Sequence, residues 1–516
     1  MVMLKGKSYT GDDLGTNFGH KKKTQAGADG VTRDQWENLF VDGIAEMSDR
    51  VAAVTTLQQG AAASASAASA SQTASAGSAT AAAGSASTAT TQAGIAVAAA
   101  NTVAGIVQHV QPYEIAGIPP ILDFPFSGPN AVPAGVITGS SSKWVTDKAG
   151  LLTSVAAGTP PIDYDPVTAA LRGLLVEEAR TNLLTYSRTR SNAAWSKTRC
   201  TISENSDTGI DGTAAADRIV ADGTGAFVNT TQAVSGSGST RYVYYDVLKP
   251  GTLTQAGLRL QVGSSSYVGK VFDLSSGTVV ANTDASAPAG FGIVPLYGGY
   301  YLCWISDTTA SGFTAPAGFT YLAAAGSIGS SPSAGTYIIT DGAQLEAGAF
   351  PTSRIVTTSS TVNRAADVNS LAVSNIPGWN ASEGTIYVEA DMQVTTTYPA
   401  VIQLDDGTFN NFIRIIGIPN STALWAEVYV GGVAQATLVL GNMTAGTTFR
   451  AAISWKANAF AACLNGGAVV TDTSGSVPSV TQLKLGSGGA TALGGHIRRF
   501  VGWSRALPST LQLLTA

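Results

Sequence analysis

Apolar positions in the first fifth of the chain recur at alternating spacings of three and four. A heptad frame fits residues 40–110. One core position holds Ile44, Val51, Gln58, Ala65, Gln72, Ala79, Ala86, Ala93, Ala100 and Val107; the other holds Phe40, Met47, Val54, Ala61, Ala68, Ser75, Ala82, Ala89, Ala96, Val103 and Val110. Eighteen of these 21 positions are apolar, and every glycine in the stretch falls outside the frame. Between residues 61 and 100, 10 of 12 seam positions are alanine against 10 of the 28 others, so the seam is not a by-product of alanine abundance. A sustained period of 3.5 predicts helices wound around one another. At 1.5 Å per residue the rod is roughly 105 Å long. A disordered Ala/Ser linker is the alternative that composition alone allows; the large residues in frame at both ends favour the rod. Thr32 and Gln35 have the spacing of a capping box at its start. Pro112, which lacks a backbone N–H, predicts its end near Gln111.

The period changes to two beyond the rod. Segments such as TRYVYYDVLKPG, GLRLQVG, SYVGKVFDLSSG, GGYYLCWISDTT and AGTYIITDGAQLEAG alternate apolar and polar residues between Gly, Pro, Asp and Ser. EGTIYVEADMQV, AVIQLDDG, NFIRIIG, ALWAEVYVGG and GHIRRFVGW do the same nearer the C-terminus. Short alternating units with regular turn signals predict sandwiches. The expected organisation is an attachment segment over 1–35, the rod over 36–111 and a connector over 112–184. A β-sandwich over 185–356 and a jelly roll over 357–516 follow. The fold class is therefore mainly β, with an N-terminal α-helical coiled-coil rod followed by two β-sandwich (jelly-roll) domains.

Charge sharpens the rod. No Asp, Glu, Lys or Arg lies between Arg50 and Glu114, so no flanking ion pairs select a partner or a strand number. Alanine layers bury little area, which predicts an oligomer whose other parts reinforce the bundle. The whole chain carries only 12% charged residues and a net charge of −5. Its one basic run, lysines 21–23, gives nucleic-acid binding little support. No stretch is long and apolar enough to insert in a membrane, and the opening MVMLKGKSYTGDDLG lacks the apolar core of a secretion signal. Assembly in a host cytoplasm and release by another route, such as lysis, is the expectation. Cys200, Cys303 and Cys463 lack metal-ligand spacing and read as free thiols.

Two further stretches carry a resemblance. LRGLLVEEARTNLLTYS follows DKAGLL and IDYDP, and GAQLEAGAFPTSRI precedes NRAAD. Residues 162–166, 172–176, Glu178, 180–184, Tyr186, Ser187 and Trp195 resemble a segment of tailed-bacteriophage tail-fibre and minor tail proteins. Pro161 stands where those proteins usually carry arginine. Gln344, Leu345, Glu346, Gly348, Pro351, Thr352, Ser353, Arg364, Ala365 and Asp367 resemble the exit of the carbohydrate-binding-like sandwich that follows it. Trp455, the LNGG turn at 464–467, and Trp503 before RALPS resemble a laminin-G or concanavalin-like domain. The resemblance implies a homotrimeric virion fibre, docked to baseplate or tail proteins by its N-terminus and attached to host surface polysaccharide or lipopolysaccharide. From the residues themselves, Arg172, Glu177, Glu178 and Arg180 are expected to pin the connector by ion pairs. Glu346 and Arg364 are expected to meet, and Ile338 and Leu345 to be buried on alternate sides of a turn.

Catalytic chemistry finds little footing. His20, His109 and His496 lie far apart in sequence, without the partners of a zinc site or a nucleophile, and no nucleophile elbow or phosphate loop occurs. The expectation is that the chain is no enzyme and needs no cofactor or metal. Asp405 and Asp406, adjacent in a turn, are the candidate ligands of a structural calcium ion; a solvated turn is the favoured alternative. Pyranose rings stack on aromatic faces, so Tyr300, Trp304, Trp425 and Tyr429 are the candidate glycan contacts. A polysaccharide-degrading tail enzyme and a bacterial glycan-binding adhesin are the alternatives.

Overall fold

The computed structural model describes residues 2–4, 7–9, 33–108, 118–128, 142–488 and 491–516. The Thr32 cap, most of the 1–35 segment with lysines 21–23 and His20, the helix end near Gln111 and His109 lie outside them. The chain divides into two compact units, Met1–Val97 and Ala98–Ala516.

A helix runs over Arg33–Gln108, 76 residues and about 114 Å at 1.5 Å per residue. Hydroxyls of Thr55, Thr56, Thr73, Thr80 and Thr88 fold back onto carbonyls four residues earlier. Cβ atoms built on Gly60, Gly77 and Gly84 would meet nothing. Ile44, Met47, Val51 and Val54 lie 53–67% exposed. The single chain thus presents the seam without covering it. No helix among the described residues is long and apolar enough to cross a membrane.

The second unit is built from antiparallel sheets, and the protein is mainly β. In the first sandwich one six-stranded sheet runs in the order Cys200–Asp207, Ala216–Ala221, Tyr337–Ala347, Arg241–Pro250, Tyr301–Thr308, Gly290–Pro295. The facing sheet runs Thr278–Asn282, Tyr267–Asp273, Gln255–Gln261, Ala317–Ala323, Asn229–Ala233, Ser196–Thr198. Alternation puts Tyr242, Tyr244 and Leu248 inward with Leu258, Leu260 and Phe272. Ile338 and Leu345 enter this same core, against the expectation of opposite sides. Their odd spacing of seven is reconciled by a slip in the ladder between Thr340 and Ala343, where Gly342 takes φ +110°. A bulge of this kind turns one face into the other.

In the C-terminal sandwich a six-stranded sheet runs Ser370–Ala372, Gln482–Leu485, Ala400–Asp405, Phe412–Gly417, Ala423–Val430, Val433–Asn442. It packs through Ile402, Leu404, Ile413, Ile415, Leu424 and Val428 onto an eight-stranded sheet. That sheet's other face is covered by the C-terminal helix Leu511–Thr515, whose Leu511 and Leu514 meet Trp503 and Tyr387. Leu122–Phe124, Ile162–Tyr164 and Leu171–Val176 belong to this sheet as well, the first and last pairing with Gly495–Trp503. Much of what the sequence reads as a connector is therefore strand.

Candidate functional site

The outer face of the C-terminal six-stranded sheet is the one on which chemistry accumulates. Two strands build it, Phe412–Gly417 and Ala423–Val430, and strict alternation decides what each shows. Ile413, Ile415, Leu424, Ala426 and Val428 point into the core; Phe412, Arg414, Ile416, Trp425, Glu427 and Tyr429 point the other way. Register sets them in three facing pairs: Phe412 with Tyr429, Arg414 with Glu427, Ile416 with Trp425. The Phe412 and Tyr429 rings stack at 4.6 Å and 20°, and the Arg414 guanidinium lies 4.3 Å over Phe412 from its other neighbour. Arg414 Nε donates to Glu427 Oε2 at 2.8 Å, leaving the arginine's side chain 16% and the glutamate's 10% exposed. Trp425 and Tyr429 are half-buried and four residues apart, about 13 Å along a strand.

The neighbouring strands extend the polar part. Asp405 accepts from Gln403 Nε2, Gln482 Nε2, the Gly407 amide and Lys484 Nζ at 2.6–2.8 Å. Asp406 is engaged by Thr408 and Asn411. These bonds occupy the oxygens proposed from sequence as calcium ligands. At the two ends of the Ala400–Asp405 strand the loops expose Phe409 and Tyr398.

The other two aromatics selected from sequence have different positions. Tyr300 is 1% exposed, and its hydroxyl donates to the Thr208 carbonyl at 2.8 Å, so burial pushes the phenol well above its ordinary range. Trp304 is half-buried and lies across the glycine edge strand, close over Gly292. The structure brings Trp425 and Tyr429 onto one face and leaves Tyr300 and Trp304 in the other sandwich. Arg414, Glu427 and Phe412 escaped the sequence reading. Their signal was present in NFIRIIG and ALWAEVYV: a charge and a ring at alternate positions, out of phase with the core.

The two resemblance motifs meet as a clasp. Glu177 accepts from Ser353 through amide and hydroxyl, both at 2.7 Å, pairs with Arg364 and lies 3.5 Å from Lys143, which also pairs with Asp367. Burial would raise this carboxyl, but Arg364 and Lys143 overcome it and lower it to about 2. Arg364 therefore meets Glu177, not Glu346 as expected. Glu346 is fully enclosed by Gln344 and Thr352, and burial raises its carboxyl. Arg180 pairs with Glu178, within the set named from sequence, whereas Arg172 pairs with Asp165 and Glu177 with Arg364, outside it. Asn182 bonds Ile355, Leu184 and Leu345 through its amide. Beside the clasp a cavity of about 210 Å³ is lined by Trp144, Asp163, Arg172, Arg354 and His496. His496 lies between Asp163, 3.1 Å from Nε2, and Asp391, 3.0 Å from Nδ1. Burial alone would lower it; the two carboxylates prevail and raise it to about 9.

No protein-family model and no curated protein matches the sequence. Among solved structures, the carbohydrate-binding module of the Ruminococcus gnavus IT-sialidase bound to α2,3-sialyllactose is similar at 16% identity and TM-score 0.24, over 27% of this chain and 84% of that one. A leech intramolecular trans-sialidase is similar at 18% identity and TM-score 0.25, over 29% of this chain and 26% of that one. Trypanosoma rangeli sialidase is similar at 11% identity and TM-score 0.22, over 26% of this chain and 23% of that one. The chain thus spans about a quarter of the length of either enzyme. The expectation that the chain is no enzyme is corrected by these neighbours, which include sialidases and trans-sialidases. The similar structures include a sialidase's carbohydrate-binding module, sialidases and a galectin.

Proposed function

We propose that this is a glycan-binding protein, that the outer face of its C-terminal six-stranded sheet holds the sugar, and that it serves as the fibre of a tailed phage or related particle. The observation that carries the glycan reading is the facing set Phe412–Tyr429, Arg414–Glu427 and Ile416–Trp425. Pyranose rings present C–H faces that pack on aromatic rings, while their hydroxyls bond to charged side chains whose positions are already held. A ring at each end of the Ala423–Val430 strand with an ion pair between them offers both. The fibre reading rests on the tail-protein resemblance and on the long helix. Copies wound in register bury Ile44, Met47, Val51 and Val54, which one chain leaves in water, and a homotrimer is the assembly the resemblance favours.

The test is binding of the full-length protein to immobilised host polysaccharide, compared with Trp425→Ala and Tyr429→Ala. Each substitution is expected to weaken binding about tenfold, with unfolding unchanged; wild-type binding in both variants refutes the assignment of this face. Assaying reducing ends in the same mixtures reports any cleavage of the polysaccharide. Light scattering should give a mass about three times 52.3 kDa. Val51→Asp with Val54→Asp buries unpaired charge in the seam and should lower that mass; a monomeric wild-type protein at micromolar concentration excludes the wound rod.

A further inference from the structure

A second cleft, of about 250 Å³, opens where the end of the first sandwich meets the loop after Glu383–Met392. It is lined by Glu178, Arg180, Thr240, Arg241, Phe350 and Thr396, among others. Its charges do not balance. Arg180 is paired with Glu178, while Arg241 donates through Nη2 to the neutral Ser306 hydroxyl at 3.0 Å and pairs with no carboxylate among the described residues. The Nε atoms of Arg180 and Arg241 are both buried without a protein acceptor. With the Arg241 guanidinium bonded only to a neutral hydroxyl among the described residues, the cleft favours a guest that brings acceptors and negative charge. Arg180 also lies 5.5 Å over the Phe350 ring, and Thr240 and Thr396 add hydroxyls. Burial raises the Glu178 carboxyl, which weakens its repulsion of an anion.

We propose that this cleft binds one carboxylated sugar residue, with its carboxylate on Arg241 and its ring beside Phe350. Guanidinium and carboxylate match as planar, two-pronged partners, and the volume suits one ring better than a polymer strand. The proposal adds a site to the glycan-binding reading and depends on that reading only for the sugar being part of the target.

Calorimetric titration of the full-length protein with a glucuronate-containing trisaccharide and with its neutral methyl ester tests it. The acid should bind about tenfold more tightly than the ester. Arg241→Gln should erase that preference, whereas Trp425→Ala should leave it intact. Thr396 is exposed on its loop, so Thr396→Trp blocks the mouth without touching a core and should also abolish the preference, should Arg241→Gln fail to fold. Equal binding of acid and ester by the wild-type protein overturns the proposal. So does inorganic phosphate competing as strongly as the trisaccharide, which marks a general anion site. Failure of the outer-face reading gives a different result: Trp425→Ala and wild type then bind neutral glycan equally, whatever the acid–ester ratio.

Discussion

Arg190–Asp246 in the first sandwich and Arg414–Glu427 in the second are the same chemical pair put to opposite uses. Arg190 and Asp246 are wholly enclosed, with Thr320 and Thr340 donating to the carboxylate and the Trp195 ring 3.9 Å from the guanidinium. Nothing outside the protein can reach them. Arg414 and Glu427 keep 16% and 10% of their side chains exposed and lie among rings. The difference lies in degree: Asp246 belongs to a strand whose two faces are both buried, while Arg414, Trp425 and Tyr429 stay partly exposed beside the buried Phe412, Ile416 and Glu427. An ion pair in the interior fixes register, and one on the half-open face is available to a ligand.

The largest effect should follow from breaking the enclosed pair. Arg190→Met leaves Asp246 buried without its partner, and uncompensated buried charge costs about 3–5 kcal/mol. Denaturant unfolding of this variant should show a loss of that size. A loss below about 1 kcal/mol would mean that the pair does not lock the first sandwich.

How far the sequence foretells these two regions depends on range. The strands were legible because Val, Ile, Tyr and Phe alternate between turn residues, and so was the hairpin in which Trp455 faces Phe460. The site was half legible: Trp425 and Tyr429 announce themselves as rings, but Arg414 acquires a role only through registry with Glu427, 13 residues on. The clasp was less accessible still. Glu177 and Arg364 are separated by 187 positions, and nothing local tells Arg364 to choose Glu177 over Glu346. The burial of Ile338 and Leu345 in one core depends on the bulge at Gly342, which alternation cannot locate. Tyr300 illustrates the opposite error, an aromatic whose polar end finds a backbone carbonyl inside the fold and which therefore serves the core.

A pair of intermediate burial sharpens the contrast. His496 is enclosed by Asp163 and Asp391 with 12% of its side chain exposed. Its folded value, about 9, is raised above the ordinary 6.5. The protonated form is thus favoured by folding: its contribution is complete below about pH 6.5, declines as pH rises and is gone above about pH 9. At 1.36 kcal/mol per unit, the shift sets an upper bound of about 3 kcal/mol. The unfolding midpoint of the C-terminal sandwich should fall across that window, and His496→Gln should flatten the decline. A wild-type profile no steeper than the variant's would show that the two carboxylates do not hold a charged imidazole. Glu177 supplies the opposite arm, since its lowered value makes its contribution disappear as pH falls from about 4.5 to about 2.

The smallest change in stability should accompany the half-open pair. At 16% and 10% exposed the pair is more enclosed than the surface pairs that contribute about 0–1 kcal/mol, yet water still reaches its edge, which holds the cost of breaking it below the roughly 3–5 kcal/mol of a sealed pair. Arg414→Gln is shorter but keeps an N–H donor, so the loss should stay below about 3 kcal/mol. Binding should respond differently: without the guanidinium, Glu427 loses its partner and Phe412 its cation, and glycan affinity should fall about tenfold, or about 1.4 kcal/mol. Stability and binding measured on the same variant therefore separate the two uses of an arginine–carboxylate pair. If Arg414→Gln unfolds as readily as Arg190→Met, the outer pair is a second lock and the face loses its claim as a site. If stability and glycan binding both stay at the wild-type level, Arg414 takes no part in recognition, and the aromatic rings at 425 and 429 must hold the sugar without it.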